Sequence, residues 1–456
     1  MGKKNKKEKG KGAEKAAQKL AKKDRKAEGM EDLEAMIAQF KEEDKQRTTF
    51  TEEVSSNPTP RTNLSVTAHP DKDELIFFGG EYFNGKKTTV FNDLFVYNIK
   101  KSKWMKQSVP NPPPPRCAHQ AVAVAKEGGQ LWVFGGEFAS PNNLQFYHYK
   151  DLWVLNLKEH KWDQIKAKGG PSQRSGHRMV VYKQNIFVFG GFHESHKNFI
   201  YFNDCYLFSL SDYTWAKLSP TGSGPCPRSA CQLAVTQDGV LIIGGYSKVK
   251  VNKEVDKGTS HSDIFLLREK PGNKWSWEKV KETGNKPWPR SGFSVAPISG
   301  NRVGFFGGVC DDEDEEEIKS LFFNSMHCLD TVSYRWFNVE FYKKGKEKKL
   351  PEDDVGDVKD DEVMKILPCP RMNSSLAVKK HTMYLFGGVV EDGDKQVTLN
   401  DLWSIDLRKL NSWDQILEAD DTGADWFEEE EEEEEEGSSE EEMEVDEPGC
   451  SGDHVK

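Results

Sequence analysis

The hydrophobic residues of this chain occur in short runs, and the most regular of these runs end in two glycines. Leu-Trp-Val-Phe at 131–134 precedes Gly135 and Gly136, and Ile-Phe-Val-Phe at 186–189 precedes Gly190 and Gly191. Short runs rich in β-branched and aromatic residues predict buried strands, since a buried helix needs about ten residues or more. The paired glycines indicate a positive φ angle or a close backbone approach at the end of each strand.

This unit occurs six times, with four landmarks in a constant order. An arginine opens each copy, 16 to 19 residues before the first glycine (Arg61, Arg116, Arg174, Arg228, Arg290 and Arg371). The glycine pairs begin at positions 79, 135, 190, 244, 307 and 387. A short apolar run then starts at an aspartate, which Ser325 replaces in the fifth copy (Asp93, Asp151, Asp204, Asp263 and Asp401). A tryptophan closes each copy (Trp104, Trp162, Trp215, Trp277, Trp336 and Trp413).

Repeats of roughly fifty residues with four short strands, a glycine pair and a late aromatic are typical of kelch propeller blades. The sequence therefore predicts an all-β fold, a six-bladed kelch β-propeller over residues 58–418, with a short N-terminal helix and disordered charged tails. We interpret the glycines and tryptophans as structural, because large aromatic side chains fill the space between packed sheets.

The loops that follow the glycine pairs are the predicted binding surface. Strand direction alternates in an antiparallel blade, so these loops emerge on the same face as the connections between blades. They are long and rich in aromatic residues, which are typical of interaction hot spots when held on a rigid scaffold. The predicted partner-binding residues are Tyr82, Phe83, Phe138, Tyr147, His148, Phe192, His193, Tyr201 and Tyr246. The alternative is that these rings pack against one another and order the loops.

The leading arginines of blades 2 to 6 are a second candidate group. If they surround the mouth of the channel, their guanidinium groups could bind a carboxylate of a partner. We therefore include Arg116, Arg174, Arg228, Arg290 and Arg371 among the candidate partner-binding residues. The alternative is that they hydrogen-bond the carbonyl groups of neighbouring blades.

A helix is predicted between residues 31 and 46. Leu33, Met36, Ile37 and Phe40 form an apolar stripe at i, i+3, i+4 and i+7 among charged residues. The stripe must pack on the propeller or on a partner, and we favour the propeller.

The net charge of -11 is concentrated at the two ends of the chain. Residues 1–28 carry eight net positive charges and residues 418–456 carry nineteen net negative ones. Neither segment has enough apolar residues to fold by burial, so the arm at 1–30 and the tail at 419–456 are predicted to be disordered. The basic arm suits nuclear import or weak, nonspecific contact with nucleic acid or ribosomes, with a solvated tail as the alternative. Ser438 and Ser439 are candidate phosphorylation sites, because a glutamate follows each three residues later.

Catalysis, metal binding and membrane insertion find little support in the sequence. There is no phosphate loop and no Gly-x-Ser-x-Gly motif, and His193 and His196 lack an identifiable third ligand. The eight cysteines have no metal-ligand spacing and are expected to be reduced. No apolar run approaches the ~20 residues that span a bilayer. We expect no catalytic residues, no cofactor, no metal and no membrane association, and a monomer that is cytoplasmic and/or nuclear.

Several loop motifs add a resemblance to a known family. Gly-Gly-Glu-Tyr-Phe-Asn-Gly at 79–85, Gly-Gly-Glu-Phe-Ala-Ser-Pro-Asn at 135–142 and Phe-Tyr-His-Tyr-Lys-Asp-Leu-Trp at 146–153 resemble the kelch domain-containing proteins of the kelch-repeat family. The resemblance implies a propeller and a protein-binding role, without an assigned reaction or ligand. Because no BTB-type or BACK-type segment precedes the blades, we do not expect a cullin-3 adaptor. The predicted function is a non-enzymatic scaffold that binds a protein or peptide on the aromatic face. A substrate-binding adaptor for a ubiquitin ligase complex is the alternative.

Overall fold

The computed structural model describes residues 32–195, 198–250, 256–298, 300–313, 318–341, 367–392 and 395–420. The basic arm at 1–30, nearly all of the acidic tail and the candidate sites Ser438 and Ser439 lie outside these residues. Within them the fold is all-β with one short helix, as predicted. No helix among the described residues is both long enough and apolar enough to cross a membrane.

Six antiparallel four-stranded sheets form the six predicted blades. Blade 1 contains β2 (Ser65–Ala68), β3 (Glu74–Phe78), β6 (Leu94–Asn98) and β7 (Lys103–Ser108). Blade 2 contains β8 (Gln120–Val124), β9 (Gln130–Phe134), β12 (Leu152–Asn156) and β13 (Lys161–Ile165). Blade 3 contains β14 (Arg178–Tyr182), β15 (Asn185–Phe189), β18 (Cys205–Ser209) and β19 (Trp215–Lys217).

The remaining three blades repeat this arrangement. Blade 4 contains β20 (Gln232–Val235), β21 (Gly239–Lys250), β22 (Asp256–Lys270) and β23 (Lys274–Lys279). Blade 5 contains β25 (Ser294–Pro297), β26 (Arg302–Phe306), β29 (Met326–Asp330) and β30 (Arg335–Val339). Blade 6 contains β31 (Ser375–Lys379), β32 (Thr382–Asp392), β33 (Lys395–Asp406) and β34 (Asp414–Leu417).

Two further strands extend the outer edges of blades. β1 (Thr51–Ser55) pairs antiparallel with β7, and β24 (Thr283–Gly284) pairs parallel with β30. β1 lies before residue 58, the predicted start of the propeller. Its sequence, Thr-Glu-Glu-Val-Ser, is almost wholly exposed and lacks the apolar pattern that predicted the other strands.

The ring closes through its innermost strands and through six apolar clusters. Each of β2, β8, β14, β20, β25 and β31 contacts the next, and β31 contacts β2. One apolar cluster fills each junction between neighbouring blades and includes or contacts the closing tryptophan of one of them. At the junction of blades 6 and 1, Phe77 packs edge-on against Phe386 with ring centroids 5.0 Å apart.

The loops after the glycine pairs form hairpins on a single side of the ring. They are β4 (Glu81–Phe83) with β5 (Thr88–Val90), β10 (Glu137–Ala139) with β11 (Phe146–His148), β16 (Phe192–Ser195) with β17 (Asn198–Tyr201), and β27 (Val309–Glu313) with β28 (Ile318–Phe322). In blades 4 and 6 the second and third strands are long. The hairpin is formed by the second half of the second strand and the first half of the third strand. The residue after each leading arginine bridges the start of its blade's hairpin, as Cys117 does to Glu137. We call this side the hairpin face.

The glycine pairs sit where neighbouring blades come closest. Gly135 and Gly136 have φ angles of +62° and +90°. A Cβ atom on Gly135 would lie 2.8 Å from the carbonyl oxygen of Arg174, and one on Gly136 would lie 2.6 Å from that of Cys117. The backbone N–H of Gly136 instead donates to the Arg174 carbonyl in blade 3 at 3.0 Å. Only glycine combines this conformation with this contact.

The helix, α1 (Leu33–Lys45), begins after Asp32, whose carboxylate accepts a hydrogen bond from the backbone N–H of Ala35. Its apolar stripe lies on the hairpins of blades 1 and 2, where Leu33 and Ile37 are buried against Val90 and Phe138. The chain's own helix therefore uses the stripe, the interpretation that the sequence favoured.

Candidate protein-interaction face

The leading arginines are buried and hydrogen-bonded within their own blades. In blade 2, Nη1 of Arg116 donates to the Gly135 carbonyl at 3.0 Å and to Oδ1 of Asp151 at 2.9 Å, while Nη2 donates to Oδ2 of Asp151 at 3.1 Å. The guanidinium group also stacks on the ring of Tyr149, 4.2 Å from its centroid. The arginine, the glycine pair and the aspartate thus form one structural unit, because two of the arginine's neighbours are the other landmarks of the repeat.

Blades 1, 3, 4 and 6 repeat the arginine–aspartate pair (Arg61 with Asp93, Arg174 with Asp204, Arg228 with Asp263, and Arg371 with Asp401). In blade 6 the aspartate overcomes the cost of burial: although burial lowers the pKa of Arg371, hydrogen bonds and charge from Asp401 leave that pKa raised. In blade 1 the more distant Asp93 offsets burial only in part, and the pKa of Arg61 stays lowered. In these five blades the geometry favours the structural interpretation of the arginines over direct contact with a partner.

Several predicted aromatic residues cluster where the hairpins of blades 2 and 3 meet. The Phe192 ring stacks on Tyr201 at 5.7 Å and contacts His148 edge-on at 5.5 Å. His193 lies 4.7 Å from His148, between ring centroids. Tyr246 of blade 4 is close enough to join burial in raising the pKa of Tyr201. The structure thus brings together five of the nine predicted residues.

The other four predicted residues lie farther toward blade 1. Phe138 is buried beneath α1, with its ring 5.7 Å from that of Phe40. Tyr147 lies beside it and is about one third exposed. Tyr82 and Phe83 are half-buried in the blade 1 hairpin. The helix therefore covers part of the surface that the sequence assigned to a partner.

Comparisons with known proteins agree with this blade architecture. The family model described as the KLHDC2/KLHL20/DRC7 Kelch-repeats domain matches residues 63–308, 150–350 and 273–423, which together span most of the chain. The chain belongs to this kelch-repeat family. The predicted six-bladed kelch β-propeller is thereby confirmed.

Two proteins to which this kelch propeller is similar share about a quarter of its residues. The chain is 24% identical over 339 residues to the leucine-zipper-like transcriptional regulator 1 homolog of Drosophila melanogaster, covering 73% of this chain and 30% of that protein. It is 27% identical over 389 residues to host cell factor 1 of Homo sapiens, covering 78% and 17%. The chain therefore spans less than a third of the length of these relatives. The solved structure titled "Structure of YjhT" shares the fold, with a TM-score of 0.53, 16% identity, and 79% of this chain and 99% of that one covered.

A buried polar cluster ties the hairpins of kelch blades 2 and 3 together. The Ser175 hydroxyl donates to Oε2 of Glu137 at 2.7 Å and lies 3.1 Å from Nδ1 of His148, and Nε2 of His148 accepts the backbone N–H of Glu194 at 3.0 Å. Because Nε2 accepts, the proton of the neutral ring is on Nδ1, so the imidazole cannot take the serine proton there. Burial, then the charge of His193, lowers the His148 pKa to about 3. The cluster holds hairpins in place and lacks the geometry of a nucleophile with its base.

This polar cluster was not predicted from the sequence, and neither was the position of the helix over Phe138. Ser175 and Glu137 occupy repeated positions, directly after a leading arginine and directly after a glycine pair. These repeated positions were the available signal for the cluster, because a polar residue that is buried there must find a hydrogen-bond partner inside the propeller. The cover over Phe138 depends on long-range packing that no local pattern encodes.

A cavity of about 370 Å³ occupies the centre of the ring. Residues from all six blades line it, mostly at the starts of the innermost strands. Among the described residues, no cluster of histidine, cysteine or carboxylate side chains has the arrangement of a metal site. The candidate interaction surface is therefore the hairpin face together with this central cavity.

Proposed function

We propose that this kelch propeller is a non-enzymatic scaffold that binds a protein or peptide segment on its hairpin face, as a cytoplasmic and/or nuclear monomer. The supporting observation is a set of exposed apolar side chains on four successive hairpins: Leu144, Tyr147, Ile200, Val249 and Leu321. All but Tyr147 are more than half exposed. Exposed apolar side chains that neighbouring loops of a rigid scaffold present together are typical of interaction sites.

Among the predicted residues, Tyr147 is the one we expect to contact the partner directly. His148, Phe192, His193, Tyr201 and Tyr246 would act by fixing the hairpins, while Phe138 would contact a partner only after α1 has moved. Preorganised loops lose less conformational entropy on binding, so buried support of this kind contributes to affinity without direct contact.

The test compares two faces of the same ring. The triple variant Leu144→Ser, Tyr147→Ser, Ile200→Ser removes apolar side chains from the hairpin face. The matched control Val235→Ser, Val332→Ser changes two exposed valines at turns on the opposite face. Crosslinking mass spectrometry on full-length protein in cells should show specific partners lost from the triple variant and kept by the control. Equal recovery with both variants, at equal protein levels, would contradict the proposal.

The same experiment tests the alternative proposal, which is that the protein is an adaptor that delivers bound proteins to a ubiquitin ligase complex. Crosslinks to elongin or cullin subunits that survive the triple variant would favour it, because a ligase contact would use a different surface from the substrate. The loop motifs resemble kelch domain-containing protein 4 in particular, and that closer relationship is likewise a proposal. So is weak, nonspecific contact of the basic arm with nucleic acid or ribosomes, which should weaken steeply with added salt.

A further inference from the structure

Blade 5 is the one blade that lacks both the aspartate and a side-chain acceptor two residues before the leading arginine. Ser325 stands where the others have aspartate. Trp288 stands two residues before the arginine, where Thr59, Ser172, Cys226 and Cys369 accept a hydrogen bond from Nη2 in blades 1, 3, 4 and 6. Blade 2 has Pro114 at that position, but both oxygens of Asp151 bind its arginine.

Arg290 is consequently a buried cation without a carboxylate partner in the described part of the chain. Its side chain donates from Nη1 to the Gly307 carbonyl at 3.2 Å and to the Ser325 hydroxyl at 3.0 Å, and from Nε to the Trp288 carbonyl at 3.1 Å. Nη2 donates to no described residue. The residue is only 7% exposed. Burial lowers the pKa of Arg290 to about 10, so the group still carries its charge at pH 7.

This guanidinium group lines a pocket of about 200 Å³ between blades 4 and 5. The walls are largely aromatic, with Phe293, Phe305 and Trp336 inside and Trp288, 71% exposed, also lining the pocket. The one carboxylate in the lining, Glu282, accepts the Trp336 indole N–H at 2.5 Å and pairs with Lys286. At ~30 Å³ per water molecule the volume corresponds to about seven waters, room for a carboxylate and the carbons beside it.

We propose that the pocket between blades 4 and 5 binds a carboxylate of a peptide ligand, with Arg290 as its counter-ion and the aromatic walls receiving the neighbouring apolar side chain. The ligand carboxylate takes the place that aspartate fills in the other five blades. A charge-assisted, two-oxygen contact to a buried guanidinium is among the stronger polar interactions available to a protein. The pocket contains none of the five apolar residues of the hairpin face, so either proposal can fail without the other.

The first experiment titrates three peptides into the full-length chain by calorimetry. Acetyl-Ala-Leu-Phe carries a free carboxyl terminus, acetyl-Ala-Glu-Phe amide carries a side-chain carboxylate, and acetyl-Ala-Gln-Phe amide carries none. At least one carboxylate peptide should bind tenfold or more tightly than the neutral one, and which one identifies the source of the carboxylate. Equal binding of all three peptides, or binding of none, overturns the proposal.

The second experiment uses Ser325→Asp and Ser325→Asn, which differ in charge but hardly in size. The Arg290→Met change would also remove the contact to Gly307 and risks misfolding. Ser325→Asp should raise the melting temperature, by supplying the missing partner, and should weaken binding of the carboxylate peptide at least tenfold. Ser325→Asn should retain binding within threefold. Equal effects of the two variants on binding, or a lower melting temperature for Ser325→Asp, overturn the proposal.

Discussion

Changing Asp401 to serine gives blade 6 the residue that blade 5 has naturally, and it isolates the contribution of one arginine–aspartate pair. Oδ1 and Oδ2 of Asp401 lie 2.6 and 2.7 Å from the two terminal nitrogens of Arg371, and the carboxylate also accepts the Trp403 indole N–H at 2.7 Å. The arginine side chain is fully buried and that of Asp401 is 5% exposed. Removing one member of a buried ion pair costs about 3–5 kcal/mol, because the remaining charge stays buried.

We expect the lower end of that range, about 3 kcal/mol. Arg371 keeps three acceptors after the change: the Gly387 carbonyl at 3.0 Å, and the carbonyl and Sγ of Cys369, each at 3.1 Å. A propeller of roughly 360 residues has an unfolding entropy of about 0.75 kcal/mol/K at ~2.1 cal/mol/K per residue, so the melting temperature should fall by about 4 °C. Differential scanning calorimetry and urea unfolding of the full chain measure the two quantities.

The matched control is Asp93→Ser in blade 1. There the shortest arginine–aspartate distance is 3.5 Å and the Asp93 side chain is 26% exposed, so solvent screens the pair. Its loss should cost about 1 kcal/mol or less. The reasoning is refuted if the two variants lose equal stability, because burial and distance would then not set the strength of these pairs.

Three further predictions concern the helix cover, the polar cluster and the glycine pairs. Ile37→Asp places a charge in the buried face of α1 and should release the helix, seen as faster hydrogen exchange in β10 and β11; Ala38→Asp, one residue away on the exposed face, should leave exchange unchanged. Burial raises the pKa of Glu137 to about 8, above its unfolded value of about 4.3. Between these two pH values the folded state binds more protons than the unfolded state. The free energy of unfolding should therefore fall as the pH rises, by up to about 1.4 kcal/mol per pH unit. Urea unfolding from pH 5 to 8 should show a flatter profile for Glu137→Gln, while the exposed Glu127→Gln should follow wild type. Gly136→Ala should lower the free energy of unfolding by ~3 kcal/mol or more in calorimetry, because the added Cβ would meet the Cys117 carbonyl. Gly169→Ala has a similar φ but open space around it, so it should lower this free energy by only about 1–2 kcal/mol. Equal losses of stability in the two variants would exclude a steric cause.

The number of blades and their strands were predictable because each blade is encoded locally, by apolar runs whose length and spacing recur along the chain. Arg116 and Asp151 were both recognised as landmarks of the repeat, but their pairing was not inferred. The two residues are 35 positions apart in the sequence and come together only when the sheet forms. Phe138 and Tyr147 look alike in sequence as loop aromatics, yet α1 buries the first and leaves the second partly exposed. The loops were therefore assigned correctly to one side of the ring, while the exposure of individual loop residues depended on packing between distant segments.

The seam between the last and the first blade differs from the other five junctions in one respect. Every blade is made from one uninterrupted length of chain, so no strand is exchanged across this seam, as the order of β31 to β34 and of β2, β3, β6 and β7 shows. At the other five junctions the chain runs directly from one blade into the next. At this junction the blades are held together only by packed side chains, such as Phe77 against Phe386, and by hydrogen bonds, such as that from Nδ2 of Asn400 to the Pro58 carbonyl. Mechanical or thermal opening of the ring should therefore start at this junction, where packing and hydrogen bonds alone hold the neighbouring blades together.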